Sequence, residues 1–169
     1  MNARIKMMLD SREIEEFAAP YDEIVGMWRK ATRTVQSAAA PELDLDLDSR
    51  FTLMYQSALQ GSTAVVRAAG YRIRGNDNHR LTFAAVAALG LGDLSEAARE
   101  LNIIRQGRHA AVYDWESTTG PGEIKKLRDA TIRLLQGADA WLRGQSGSYA
   151  DRLAPLAIPE FPLSPRERA

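Results

Sequence analysis

Between Arg50 and Gly70 the chain places Phe51, Tyr55, Ala58, Ser62, Val65 and Ala69 at helical spacing, so that one face is apolar or small over its whole length. Such a face must be covered by another element. No run of strand-like alternation is long enough to build a sheet for it. Similar stripes occur on either side: Ile24, Trp28 and Val35 within 21–39, and Ile124, Leu127, Leu134, Ala138 and Trp141 within 122–142. Alanine is abundant, and glycine and proline gather at segment edges. Together these features predict an all-α fold: an antiparallel helical bundle of about five helices over 1–143, followed by an extended proline-rich tail over 144–169.

The punctuation predicts the segments. Residues 1–19 read as a short helix with Ser11 as a cap and Pro20 as a stop. PELDLDLDS (41–49) alternates acids with leucines but has no strand partner, so it reads as a loop ending in an N-cap at Asp48 or Ser49. A helix over 50–69 is closed by Gly70, and YRIRGNDNH (71–79) reads as a turn-rich connection. Short and long helices follow over 80–89 and 95–116, the second capped by Asp93 or Ser95. The last, over 122–142, carries Pro121 near its first turn. In the tail, Pro155, Pro159, Pro162 and Pro165 forbid a helix. The interleaved Leu153, Leu156, Ile158, Phe161 and Leu163 predict a strap packed over its own bundle or a partner's, the alternative being a loose tail.

Composition removes several functions. The 169 residues contain no cysteine, which excludes thiolate zinc sites, thiol nucleophiles and disulfide frameworks. Only two histidines, His79 and His109, are present, so no metal site and no cofactor are expected. The acids Glu42, Asp44, Asp46 and Asp48 lack the glycine and layout of a calcium loop. Lys plus Arg and Asp plus Glu each number 22, which argues against a DNA-wrapping protein but not against a local basic patch. No apolar run approaches the roughly 20 residues of a membrane helix, and the first ten residues do not resemble a signal peptide. A cytoplasmic protein without a membrane partner is expected.

One helix carries an unusual constellation. On a wheel of 95–116, Ala97, Leu101, Ile104, Ala111 and Trp115 form the apolar arc, and Arg108 falls inside it. Beside the arc runs a polar stripe of Asn102, Arg105, His109 and Tyr113, the last three spaced i, i+4, i+8. A guanidinium in an apolar arc stays charged. It must reach the rim along its own stem, pair with an acid such as Asp93 or Glu96, or line a cleft where a phosphate binds. Metal-free RNA cleavage needs a group that takes the 2′-hydroxyl proton and cations that hold the phosphorane charge. Histidine supplies the first, arginine the second, and a tyrosine can stack on a base. Arg67, Arg72, Arg74 and Arg80 around the 71–79 turn extend a phosphate-binding surface or simply form a solvated basic turn. His79 opens the next helix, as a cap or as a ligand.

Two segments together resemble the HEPN superfamily of small helical proteins. Residues 58–83 are similar to its alanine-rich helix, Gly-Tyr-Arg turn and following histidine, here Gly70, Tyr71, Arg72 and His79. NIIRQGRHAAVYD (102–114) resembles its signature of an arginine, a polar neighbour and a later histidine. The best alignment puts the arginine on Arg108, its neighbour on His109 and the histidine position on Tyr113. The resemblance spans about 20–142 and leaves out the tail. It implies a homodimer with Arg108 facing a cleft at the two-fold axis, and an RNA- or nucleotide-binding protein. Such a protein is either a metal-independent endoribonuclease of a toxin–antitoxin or defence pair, or a non-catalytic interaction module. The resemblance makes Arg108, His109 and Tyr113 the catalytic candidates, with Asn102, Arg105, Arg72, Arg74 and His79 as phosphate ligands. Implied partners are an antitoxin or a nucleotidyltransferase that modifies Tyr113.

Overall fold

Three of the helices begin where a side chain accepts from a free backbone amide, and a fourth opens on a proline, which has no amide to satisfy. The computed structural model describes residues 2–111, 119–145 and 149–158, the side chains of 108–111 excepted. Its helices are α1 (Ala3–Asp10), α2 (Tyr21–Ala39), α3 (Leu47–Ala68), α4 (Asn78–Leu89), α5 (Asp93–Ala111) and α6 (Pro121–Arg143). Asn2, Asp46 and Asp77 cap α1, α3 and α4 by accepting backbone N–H bonds, whereas Pro121 opens α6 at a position that needs no donor.

The five longer helices form the expected all-α bundle, and the short α1 packs against α4. α3 is the central element, contacting α2, α4 and α6, while α5 bridges α4 and α6. The core runs through Trp28, Met54, Phe83, Leu101, Leu127, Leu134 and Leu135. Among the described residues, no helix is long and apolar enough to cross a membrane.

Local details differ from the sequence reading. Residues 14–16 and 71–73, read as helix and turn, form a two-stranded antiparallel sheet, β1 (Ile14–Glu16) and β2 (Tyr71–Ile73). Strands of three residues carry no readable period. The chain enters each through a left-handed residue, Arg12 (φ 58°) and Gly70 (φ 88°), and the Phe17 and Arg74 amides extend the pairing to Gly70 and Glu13. The pairing sets Glu15 opposite Arg72 and Ile14 opposite Ile73, with Ile14 buried. At α3 the cap is Asp46 rather than Asp48 or Ser49, because its carboxylate accepts from the Ser49 amide at 2.8 Å. Asp48 is used elsewhere: it accepts from the Thr119 amide at 3.1 Å and from the Thr119 hydroxyl, fixing the approach to α6. Ser95 lies inside α5 and joins it to α4, accepting from Leu91 N–H and donating to Val86 C=O, both at 2.8 Å.

The described part of the tail lies on its own bundle. Tyr149 and Leu153 are buried, the Tyr149 ring meets Tyr21 at 5.2 Å between centroids, and Arg152 pairs with Asp22. The Ala154 carbonyl accepts from Trp28 Nε1 at 2.9 Å and from Arg143 at 3.0 Å. Strap and bundle thus share α2 and α6. Pro159, Pro162 and Pro165 lie outside the described residues.

Candidate functional site

Tyr55 sits midway along α3, on the face turned toward the start of α4. Its ring is held edge-on by Phe83 of α4, with centroids 5.8 Å apart at 67°. Phe83 is fully buried, so this contact fixes the phenol. The Tyr55 hydroxyl lies 3.3 Å from Nδ1 of His79, in the first turn of α4. That turn exists because the Asp77 carboxylate caps it. One oxygen accepts from the Arg80 amide at 3.4 Å, and the other accepts from Arg80 Nε at 3.1 Å. Across the gap, α5 presents Arg105, whose Nε donates to Asn102 Oδ1 at 3.3 Å and whose terminal nitrogen is 3.8 Å from Asp77. Arg105 is only 19 % exposed, while Asp77 and His79 are open to solvent.

The electrostatics follow from this placement. Burial pushes the Tyr55 phenol up to about 12; Asp77 adds to the rise and Arg105 opposes it. Tyr55 is therefore a neutral donor and acceptor through the physiological range, not a phenolate base. For Asp77, desolvation acts upward, but the Arg80 amide and the Arg105 and Arg80 guanidiniums outweigh it and hold the carboxyl below its ordinary value. The cluster combines two arginine forks, one carboxylate, one imidazole and one phenol. It can grip an oxyanion and orient a group beside it.

A titration tests this geometry. Tyr55 is expected to ionise near pH 12, and burial also raises Tyr149. Tyr55 holds its proton more tightly folded than unfolded. Its contribution to stability is therefore complete below pH 10 and is lost as the pH rises toward 12. Phenolate absorbance against pH should lose its step near pH 12 in Tyr55→Phe. Retention of that step would disprove the assignment.

The structure brings together three of the five residues read as phosphate ligands: His79, Asn102 and Arg105. Arg72 and Arg74 stand instead on the small sheet, both paired with Glu15. The Arg72 hydrogen bond leads the causes that keep the Glu15 carboxyl low. Arg67 pairs with Glu23 at 2.6 Å, and Arg67 and Arg72 both cover the Phe17 ring, at 5.0 and 4.8 Å. Arg80 lies 3.5 Å from Glu13 as well as beside Asp77. Arg108 and His109 belong to the last turn of α5, with side chains outside the described set, and Tyr113 and Trp115 lie outside the described residues altogether.

Sequence reasoning missed Tyr55 and Asp77. Tyr55 lay on the core stripe of α3, where an aromatic reads as packing. Asp77 was one of several polar residues in GNDNH, although an aspartate just before a helix is itself a capping signal. A separate groove of about 440 Å³ lies between α3, α5 and α6, lined by Phe51, Ile103, Ile104 and Gly107 with Glu100, Glu123 and Lys126 at its rim.

Fold and site together define the class: an all-α bundle with a mixed-charge polar cluster where α3, α4 and α5 meet. No protein family, no curated protein and no solved structure matches this chain.

Proposed function

We propose that this chain is a HEPN-like protein that binds RNA or a nucleotide phosphate, as a homodimer, through the Tyr55–His79–Arg105 cluster. One observation supports the reading. Three residues picked from two separate segments, His79 on α4 and Asn102 and Arg105 on α5, converge around Asp77 and Tyr55. Arg105 offers the bidentate fork that phosphate oxygens fit. In this reading Arg108, His109 and Tyr113 carry metal-independent RNA cleavage. His109 takes the 2′-hydroxyl proton as that oxygen bonds to phosphorus, Arg108 and Arg105 hold the phosphorane charge, the 5′-oxygen leaves as its bond to phosphorus breaks and takes a proton from water, and Tyr113 stacks on a base. Tyr113 is also the position a nucleotidyltransferase partner would modify, and an antitoxin would bind the same protein.

The test is binding of a fluorescent single-stranded RNA across a salt series, with cleavage followed in chelator. Removing a charge-assisted hydrogen bond costs about 1.5–3 kcal/mol, so Arg105→Ala should weaken binding at least tenfold. It should also lower the salt slope by about 0.7 for each phosphate that Arg105 neutralises. Arg108→Ala and His109→Ala should abolish cleavage and leave the fold intact. Equal binding by Arg105→Ala, or equal cleavage by both of the others, overturns the corresponding half of the proposal.

A second reading is a non-catalytic interaction module on the same fold. It is favoured by one observation: Arg67, Arg72, Arg74 and Arg80 are each engaged by a carboxylate, which leaves little net field for a nucleic acid. Steeply salt-dependent RNA binding would count against it.

A further inference from the structure

We infer that the outward face of α2 is a track for the backbone of single-stranded RNA, held by Arg29, Lys30 and Arg33 and separate from the Tyr55–His79–Arg105 cluster. Positive charge in this fold is mostly neutralised internally: among the described residues, ten arginines lie within ion-pair reach of a carboxylate. Arg29, Lys30 and Arg33 are exposed and have no such partner among the described residues. Arg29 and Arg33 stand one helical turn apart, with Lys30 beside them.

The surroundings supply no counter-charge. The acids of α2, Asp22 and Glu23, sit in its first turn and are engaged by Arg152 and Arg67. From Ile24 to Ala39 the helix has no further acid. It packs chiefly on α3, which has none from Ser49 to Ala68. The part of the strap that reaches Trp28, residues 152–158, has none either. Glu42 and Asp44 follow only beyond the C-terminal end of α2 and bound the patch. Like charges at this spacing repel, so the face gains free energy when an anion sits on it. Gly26 is an independent sign. It lies one turn before Arg29 and Lys30, and a Cβ there would meet no atom within 4 Å, so packing inside the chain does not require a glycine. Glycine weakens a helix interior, but bare backbone beside three cations lets a phosphodiester come close.

The occupant follows from what the face lacks. A membrane-binding helix sets large apolar residues beside its basic ones, and a protein interface needs an apolar anchor at its centre. Here Ile24, Val25, Trp28 and Val35 are all buried in the bundle. A nucleic-acid backbone needs no such anchor, because arginine and lysine bind it by neutralising phosphates and releasing counterions. The track is also distinct from the cluster. Ser57 of α3 donates 2.7 Å to the Ala31 carbonyl of α2, whereas Tyr55, two residues earlier, meets α4, so the two sites lie on different faces of α3. That the polyanion is RNA rests on the proposed function; the separate track does not, and the experiment divides the two.

The experiment is anisotropy of a fluorescent single-stranded oligouridylate across a salt series, with the full chain and three variants. Arg29→Gln/Lys30→Gln/Arg33→Gln removes the charges. Gly26→Glu keeps them but sets a carboxylate three and four residues before Arg29 and Lys30. Arg105→Ala reports on the cluster. The triple variant should lower the salt slope by about 2, at about 0.7 per phosphate, so that its deficit against the wild type shrinks about tenfold between about 50 and 200 mM salt. Gly26→Glu should shift the slope in the same direction, and it decides the matter if the triple variant folds poorly. Weaker binding by Arg105→Ala alone overturns the track and leaves the proposed function standing. Weaker binding by the α2 variants alone supports the track and overturns the cluster as the RNA site. A wild type that binds no RNA overturns both, and tighter binding to phosphatidylserine vesicles than to RNA, lost in the triple variant, overturns the choice of RNA.

Discussion

Trp28→Ala is expected to lower unfolding stability by about 3–5 kcal/mol, the range for deleting a large buried aromatic. Trp28 is 0 % exposed in the middle of α2, and its indole N–H donates 2.9 Å to the Ala154 carbonyl. Removing it opens a cavity between α2 and α3 and takes a donor from the strap. For a chain of this length each kcal/mol moves Tm by about 2–4 °C, so a drop of roughly 10 °C is the expected calorimetric result. Trp28→Phe separates the two parts. It keeps much of the ring volume, and Ala154 still accepts from Arg143 at 3.0 Å, so its cost should be nearer 1–2 kcal/mol. Faster amide exchange in residues 149–158 of Trp28→Phe would show that the indole holds the strap. Unchanged exchange there would show that Tyr149, Leu153 and the Arg152–Asp22 pair hold it without help.

Gly137→Val should destabilise by about 3 kcal/mol, at the upper end of ordinary overpacking costs. Gly137 lies inside α6, where α5 begins. A Cβ there would stand 3.0 Å from Leu94 Cβ and 3.4 Å from Leu94 Cα. Backbone on the first turn of a helix cannot swing aside as a side-chain tip can, so added γ-carbons must push α5 and α6 apart. Alanine at the same position is a closer contest. It needs a shift of a few tenths of an ångström and gains about 1 kcal/mol of helix propensity, so it should be near neutral. Gly26 in α2 has no atom within 4 Å of its would-be Cβ. Gly26→Ala should therefore stabilise by up to about 1 kcal/mol. Urea unfolding of the three variants checks the order. A Gly137→Val protein as stable as the parent would mean that the α5–α6 contact is not fixed.

The candidate site was partly legible. Arg105, His79 and Asn102 stood out as polar residues at helical spacing or at a helix start, and the fold gathers them. Arg72 and Arg74 stood out for the same reason of charge, yet the pairing of β1 with β2 delivers Glu15 to both. That carboxylate lies more than fifty residues away along the chain, and no local reading of 71–79 could supply it. Tyr55 was hidden by the opposite effect. Its place on an apolar stripe is real, since it packs on Phe83, but its hydroxyl reaches past the edge of the core to His79.

What the sequence by itself determined is the set of helices and their buried faces, because a 3.6-residue period of apolar side chains is a local property that survives any arrangement of the neighbours. It also determined where α2, α3, α4 and α6 start and stop to within a few residues, through Pro20, Pro121, Gly70 and Gly90, whereas α1, expected to run to Pro20, stops at Asp10. Only the tertiary structure decided the small sheet, the docking of the strap onto Trp28, and which charges meet. Each depends on two segments brought together from far apart, and the free energy of an ion pair or a buried hydrogen bond belongs to the pair rather than to either residue.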